Sequence, residues 1–444
     1  MRAASFGARR ARYSGGETMF SEPTGGQVDQ AYLRAKEQYA ALGVDTDNAL
    51  KRLSTVPISI NCWQGDDVGG FEGTGELTGG GIMATGSYPG KARSPDELRR
   101  DFETAYKLIP GRHRFNLHAS YLEHGGKKVD RNEVKPEHFS GWVDWARELN
   151  IPLDFNPTFF SHPLADAGFT LASKDKRIRS FWIEHGKRSR EISAYMGREL
   201  GSACLDNFWI PDGYKDEPAD RLGHREILIR SLDEIFETDY SETETLDAVE
   251  SKLFGIGSEA NVVGSHDFYL SYALSRQKVL TMDAGHYHPT ESVAEKITAI
   301  LPYTGKLMLH VSRPVRWDSD HVVILDDPTK AIFREIKRAD AFDKVYVAVD
   351  FFDASINRLA AWVIGIRSSQ KAALLALLEP TTRLLEAEEE EDYTTRLALS
   401  EELRTMPFGA VWDKFCAEQG VPVGPAWLDA IREYEEKTLS RRHS

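Results

Sequence analysis

Short apolar runs rich in β-branched and aromatic residues recur along the chain. They begin near Ile58 (ISINCW), Arg114 (RFNLHA), Pro152 (PLDFNP), Ala203 (ACLDNFWI), Leu246 (LDAVES), Val279 (VLTMDAG), Leu307 (LMLHVS) and Val345 (VYVAVD). Their brevity and composition read as buried strands. They follow one another every 41 residues on average, and the gaps carry amphipathic stretches such as 94–107 and 136–149. Ser94, followed by Asp96 and Glu97, is a helix-start signal. Eight strands alternating with helices read as βα units with parallel strands, and eight is the number that closes a (β/α)₈ barrel. An open doubly wound sheet competes with this reading, but no GxGxxG follows the first run. The expected fold is therefore α/β, a (β/α)₈ TIM barrel.

After Asp350 the pattern changes to helices alone, over 369–385, 393–403, 407–416 and 425–439. The glutamates at 388–391 read as a solvated helix end or loop. The expected division is a leader at 1–28, a catalytic barrel at 29–354 and a helical extension for oligomerisation at 355–444. The glycine-rich stretch 65–90 is too long for an ordinary βα turn and leaves from the end of the first strand, so it is expected to be an active-site loop.

Composition narrows the classes. Lys plus Arg number 55 against 69 Asp plus Glu, a net charge of −14, which argues against a general binder of nucleic acid or anionic membranes. Three cysteines (Cys62, Cys204, Cys416) without a CxxC exclude a disulfide scaffold or thiolate zinc site. No apolar run is long enough for a transmembrane helix, and the expected location is the cytoplasm. Arg2, Arg9, Arg10 and Arg12 precede the first acid, Glu17, as in a transit peptide, but no apolar segment follows, and Met19 is an alternative start.

In such barrels the C-terminal ends of the strands form the active-site rim. Here they carry Trp63, His118, Asn156, Trp209, Glu250, Asp283, His310 and Asp350. Glu250, Asp283, His310 and Asp350 come from four successive strand ends, and three carboxylates converging on one mouth repel unless a cation lies between them. An oxygen-rich set with one imidazole suits Mn²⁺, Mg²⁺, Co²⁺ or Zn²⁺. Asp318 and Asp320, two apart in what reads as an extended loop, face the same way and can chelate a second ion. His286 can complete that site, with Asp283 bridging the two ions; His288 and His321 are further candidates. Lys252 shares the face of Glu250 and can polarise a carbonyl oxygen, while Trp63 and Trp209 offer flat walls for sugar C–H faces. On residues alone, aldose–ketose isomerisation, phosphoester hydrolysis and a lyase reaction all stay open, although a phosphoesterase would want arginines or a backbone nest that the rim does not clearly offer. A non-catalytic sugar-binding barrel would predict loss of a metal ligand or Lys252, and none is lost.

Longer segments narrow this choice: CWQGDDVGGFE from Cys62, TGSYPGKAR from Thr85, LDFNPTFFSHPLADAGFTL from Leu153, WIPDG from Trp209, AVESKLFGIG from Ala248, LHVSRPVRWDSDHVV from Leu309 and VDFFDASINRLAAWVIG from Val349. In these the chain resembles the L-rhamnose isomerase family of the enterobacterial type, within the xylose-isomerase-like barrel group, from about Gln30 to Arg442. The resemblance implies a structural metal on Glu250, Asp283, His310 and Asp350, and a catalytic Mn²⁺ on His286, Asp318 and Asp320. It further implies interconversion of L-rhamnose and L-rhamnulose by a hydride shift between C1 and C2, a metal-bound water carrying the proton between O1 and O2. Lys252 then polarises a substrate oxygen, and His118 takes part in ring opening or substrate binding. A homotetramer, with the helical extension at its contacts, is implied as well. An isomerase of the same kind acting on another aldose is the nearest alternative.

Overall fold

The computed structural model describes residues 20–73, 82–254 and 257–442. Two helices, α1 (Gly25–Ala41) and α2 (Thr46–Leu53), precede the first strand β1 (Ile58–Asn61). There follow α3 (Pro95–Tyr106), β2 (Arg114–His118), α4 (Ser140–Leu149), β3 (Leu153–Asn156), α5 (Lys176–Leu200), β4 (Cys204–Trp209), β5 (Gly213–Tyr214), α6 (Arg221–Ile235), β6 (Thr245–Glu250), β7 (Asn261–Val262) and α7 (His266–Arg276). Next come β8 (Val279–Asp283), α8 (Val293–Thr304), β9 (Leu307–Val311), α9 (Asp327–Arg338), β10 (Val345–Val349) and α10 (Arg358–Leu377). The chain then runs through α11 (Thr381–Glu389), α12 (Tyr393–Glu402), α13 (Phe408–Glu418) and α14 (Trp427–Lys437).

The strands β1-β10-β9-β8-β6-β4-β3-β2 close into a parallel barrel, and they are the eight apolar runs of the sequence. β5 and β7 form a separate antiparallel ribbon beside the mouth, between segments that leave β4 and β6. The helix expected from Ser94 starts there: Ser94 accepts the N–H of Glu97, and Pro95 occupies the first helical position, where no N–H is needed.

Alternation along each strand sorts side chains by height in the barrel. Leu205, Leu246, Ala248, Val279, Met308 and Ala348 form an apolar cluster inside its lower half. Beside it, at the N-terminal ends of β1 to β3, the carboxylate of Asp154 accepts from Ser59 (2.6 Å) and from Arg114 (2.7 Å). Two residues further up β2 and β3, Asn156 donates to Asn116 at 2.6 Å. One more step along β6, β8 and β9 reaches Glu250, Asp283 and His310. The same inward-facing period thus delivers apolar filling below, amides in the middle and ionisable groups at the mouth.

α10, the first helix of the segment expected to form the C-terminal extension, packs against α9, α3, α2 and β1 as the eighth helix of the barrel. Its Trp362 donates to the carbonyl of Asn61 at the end of β1 (2.8 Å), and its Arg358 pairs with Asp67 (2.6 Å). The helices beyond the barrel are therefore α11 to α14. At the other end, α1 starts at Gly25, capped by Thr24, inside the segment expected as a leader. Residues 1–19 of that leader, Met19 included, and 74–81 of the glycine-rich loop lie outside the described residues. No described helix is long and apolar enough to cross a membrane. The three cysteines are buried and free.

Candidate metal centre and active site

The mouth of the barrel opens on a cavity of about 470 Å³ lined by Trp63, His118, Asn156, Trp209, Glu250, Lys252, His286, His310, Asp318, Asp320 and Asp350, among others. Donor atoms of Glu250, Asp283, His310 and Asp350 lie within 4.8 Å of one another, and so do those of Asp283, His286 and Asp318. The parallel ladder explains the first group: Asp283 of β8 is in register with His310 of β9, which is in register with Ala348 of β10, two residues before Asp350. His310 Nδ1 stands 3.3 Å from Glu250 Oε1, 3.3 Å from Asp350 Oδ2 and 3.7 Å from Asp283 Oδ2. Burial pulls this imidazole down, but the charges of Glu250 and Asp350 hold it well above its ordinary pKa.

The second group is built by two turns. Gly285 follows Asp283, donating its N–H to Asp283 Oδ1 (2.6 Å), and a side chain at 285 would put its Cβ 2.3 Å from Asp318 Oδ1. His286 Nε2 comes 3.1 Å from Asp318 Oδ2. Burial opposes protonation of His286, yet the charges of Asp283 and Asp318 raise it to about 10. Asp283 and Asp320 are pushed well above the usual carboxylate range, first by burial and then by neighbouring carboxylates, against the opposing pull of His286 on Asp283.

The loop after β9 differs from the extended segment expected. It folds back through an antiparallel bridge between Arg313 and His321, and Asp320 takes a left-handed backbone (φ 43°). Asp318 therefore joins the tight group with Asp283 and His286, whereas Asp320 lines the cavity beside it. Of the two extra histidines, His321 reaches the cavity wall, and His288 is exposed, bonded to Thr290.

Both groups fit divalent cations by the state of their atoms. Asp283 Oδ2, His286 Nδ1, His310 Nδ1 and Nε2, and Asp318 Oδ1 are buried without a hydrogen-bond partner. Buried polar atoms are otherwise almost always paired, so such a concentration at one site calls for a ligand. Oxygen donors with imidazole match Mn²⁺, Mg²⁺ or Zn²⁺. Neighbours orient the donors: Asn207 donates to Glu250 (2.6 Å) and accepts from Thr281 (2.7 Å), and Trp63 Nε1 donates to Asp350 (3.0 Å).

Opposite the acids runs an aromatic wall. Trp63 meets the His118 ring edge-on at 4.8 Å, His118 meets Phe160 at 6.0 Å, and Phe160 meets Trp209 at 5.6 Å. Lys252 Nζ stands 5.4 Å from the centre of the Trp209 ring. Burial lowers its pKa to about 8 against the charges of Asp318 and Asp212, so it remains largely a cation at neutral pH. Burial lowers His118 to about 3, and it is neutral. Sequence reasoning missed Asn207 and Phe160. Asn207 was open to inference, because it lies two before Trp209 and shares its face. Phe160 sits in a loop, where no periodicity marks it.

Fold and mouth define a (β/α)₈ barrel with a cavity able to hold divalent metal ions between carboxylates and imidazoles. Its family follows from its relatives: the chain belongs to the L-rhamnose isomerase family and is an isomerase, the family model for L-rhamnose isomerase (RhaA) matching residues 26–442. It is 58% identical over 416 residues to the L-rhamnose isomerase of Mannheimia succiniciproducens, covering 94% of this chain and 99% of that one. To the L-rhamnose isomerase of Rhodopirellula baltica it is 56% identical over 417 residues, covering 94% and 97%. Among solved structures, an L-ribulose 3-epimerase matches 74% of this chain and 97% of its own, with 12% identity and a TM-score of 0.44.

Proposed function

We propose that the protein interconverts L-rhamnose and L-rhamnulose at the barrel mouth. The observation that carries this reading is the near-full-length likeness to L-rhamnose isomerases. The buried unpaired donor atoms add support. When bound, Mn²⁺ at His286, Asp318 and Asp320, with a second divalent ion (Mn²⁺, Zn²⁺ or Mg²⁺) at Glu250, Asp283, His310 and Asp350, supplies Lewis-acid stabilisation of charge on adjacent sugar oxygens.

The chain's own groups do the rest. Trp63, Trp209 and Phe160 pack against the C–H faces of the sugar and exclude water from it. Lys252, a partly desolvated cation, stabilises negative charge on a substrate oxygen. His118, held neutral, can give or take a hydrogen bond at a sugar hydroxyl. The net change is a hydride moved between C1 and C2 and a proton moved between O1 and O2, which leaves the redox state of the whole molecule unchanged.

We also read the chain as a cytoplasmic homotetramer whose helices α11 to α14 contribute to subunit contacts. Leu385, Tyr393 and Leu397, all exposed on α11 and α12, support an apolar contact there. The free cysteines agree with a reducing compartment.

The decisive experiment strips the protein with a chelator, restores Mn²⁺, and measures ketose formation from L-rhamnose beside a panel of other aldoses. Metal-dependent ketose formation with L-rhamnose as the best substrate is expected. A better turnover of another aldose would move the substrate assignment, and no ketose from any aldose would overturn the isomerase reading.

A further inference from the structure

Arg131 lies in the loop after β2, within a single 3-10 turn, and is 2% exposed. Its guanidinium grips two other loops at once. Nε donates to Glu72 of the strand-1 loop at 2.9 Å, and Nη2 reaches the same carboxylate. Nη1 donates to the carbonyls of Thr158 and Phe160 (2.6 Å to the latter), just past β3. The backbone joins in through His185, whose Nδ1 donates to the Arg131 carbonyl and whose Nε2 accepts the N–H of Thr158, both at 3.0 Å.

Of the two residues held from behind, Phe160 lines the cavity itself, and Thr158 touches His118, which also lines it. Thr158 Oγ1 lies 3.3 Å from His118 Nδ1 and takes the N–H of Ser120, which fixes the plane of the His118 ring. Phe160 packs its ring between His118 and Trp209. A buried ion pair is an expensive way to join two loops if joining is all that is needed. A planar fork with five donors can, however, hold a carboxylate and two carbonyls in one fixed arrangement, which an apolar side chain or a lysine cannot.

We propose that Arg131, paired with Glu72, is a positioning residue that sets the sugar-contacting face of Phe160 directly and that of His118 through Thr158, and ties the strand-1 loop to both. This rests on the sugar isomerase reading for the identity of the ligand, although not for the geometry. His118 and Phe160 come from β2 and the loop after β3, whereas Glu250, Asp283, His310 and Asp350 come from the ends of β6, β8, β9 and β10. The clamp is therefore expected to govern how the sugar is held far more than how the metals are bound.

The test compares Thr158→Val, which keeps the shape and removes the hydroxyl, with Glu72→Gln and the double variant. Each is assayed for kcat and KM on L-rhamnose, for bound metal, and by NMR for the ring signals of His118. Either single change is expected to raise KM about tenfold, the worth of one lost hydrogen bond, with kcat and metal content little altered. The double variant is expected to be no worse than the more impaired single variant, because both act through one clamp. The His118 signals should shift in both. Unchanged KM with lowered thermal stability alone, or losses that multiply in the double variant, would overturn the proposal. Should the unmodified protein not isomerise L-rhamnose, the substrate reading falls, and His118 signals that stay put in both variants would still sink the positioning role.

Discussion

Asp283 stands between two sets of donors. Its Oδ1 is occupied by the N–H of Gly285, and its Oδ2 faces His310 at 3.7 Å with no hydrogen bond of its own. Asp318 belongs to one set alone. Asp283→Ala is therefore expected to lower the content of both metals, and Asp318→Ala of one, by metal analysis after dialysis against Mn²⁺. Both should cost turnover roughly a hundred- to a thousandfold or more, the range for loss of a charge-stabilising group. Because an ion that binds the folded state raises Tm, the Mn²⁺-induced rise should vanish in Asp283→Ala and persist in part in Asp318→Ala.

His113 makes a separate residue-scale case. It is buried at the base of the barrel, its Nδ1 accepting the N–H of Ile58 (3.2 Å) and its Nε2 bonded to the carbonyl of Pro110 (2.9 Å). Those partners require the neutral ring, and burial lowers its pKa to about 4 from 6.5. The unfolded chain thus takes up this proton more readily than the folded one. The contribution is complete above pH 6.5 and is lost as pH falls through about 4. The stability difference between the protein and His113→Gln, from urea unfolding, should shrink by about 3 kcal/mol between neutral pH and pH 4.

Among the elements, α5 shows how closely a helix must approach the barrel. A Cβ on Gly197 would lie 1.8 Å from the carbonyl oxygen of Glu244, immediately before β6, and 3.1 Å from the backbone N of Cys204 at the start of β4. Neither atom can swing away, since Cys204 N donates to that carbonyl at 3.0 Å. Gly197→Ala should lower unfolding free energy by about 3 kcal/mol, visible as a reduced urea midpoint with an unchanged slope. The strands that carry the site were legible because each is a compact apolar run ending abruptly in a polar residue, and Glu250, Asp283, His310 and Asp350 stood at those ends. Elements with weaker patterns escaped. α10 is buried on nearly every side, Ala361, Trp362, Gly365 and Ile366 alike, so it shows no amphipathic stripe tying it to the barrel. β5 and β7 are two residues each and exist only through their mutual pairing. The placement of Asp318 and Asp320 depended on a left-handed turn at a non-glycine residue, which sequence spacing does not announce.

At the scale of the molecule, both ends of the described chain meet on one side of the barrel. α1 packs against α13, with Lys414 paired to Asp29 (2.9 Å), and Arg383 of α11 donates to the carbonyl of Ala41 at the end of α1 (3.0 Å). This anchors α11, against which α12 packs, yet Tyr393 and Leu397 of α12 stay 56% and 62% exposed and Leu385 of α11 53% exposed. Isolated exposed apolar residues are ordinary, but three on adjoining helices of an anchored appendage are well placed for a subunit contact. Any such contact must offset the repulsion between chains of net charge −14, which is long-ranged at low salt and screened at high salt. The double variant Leu385→Glu, Leu397→Glu adds two further negatives per chain to that face. It is expected to reduce the mass measured by light scattering below that of a tetramer, with circular dichroism unchanged and the loss greater at low ionic strength. An undiminished mass at low salt would assign the contact to another face, and a monomeric unmodified protein would remove the oligomer from the reading altogether.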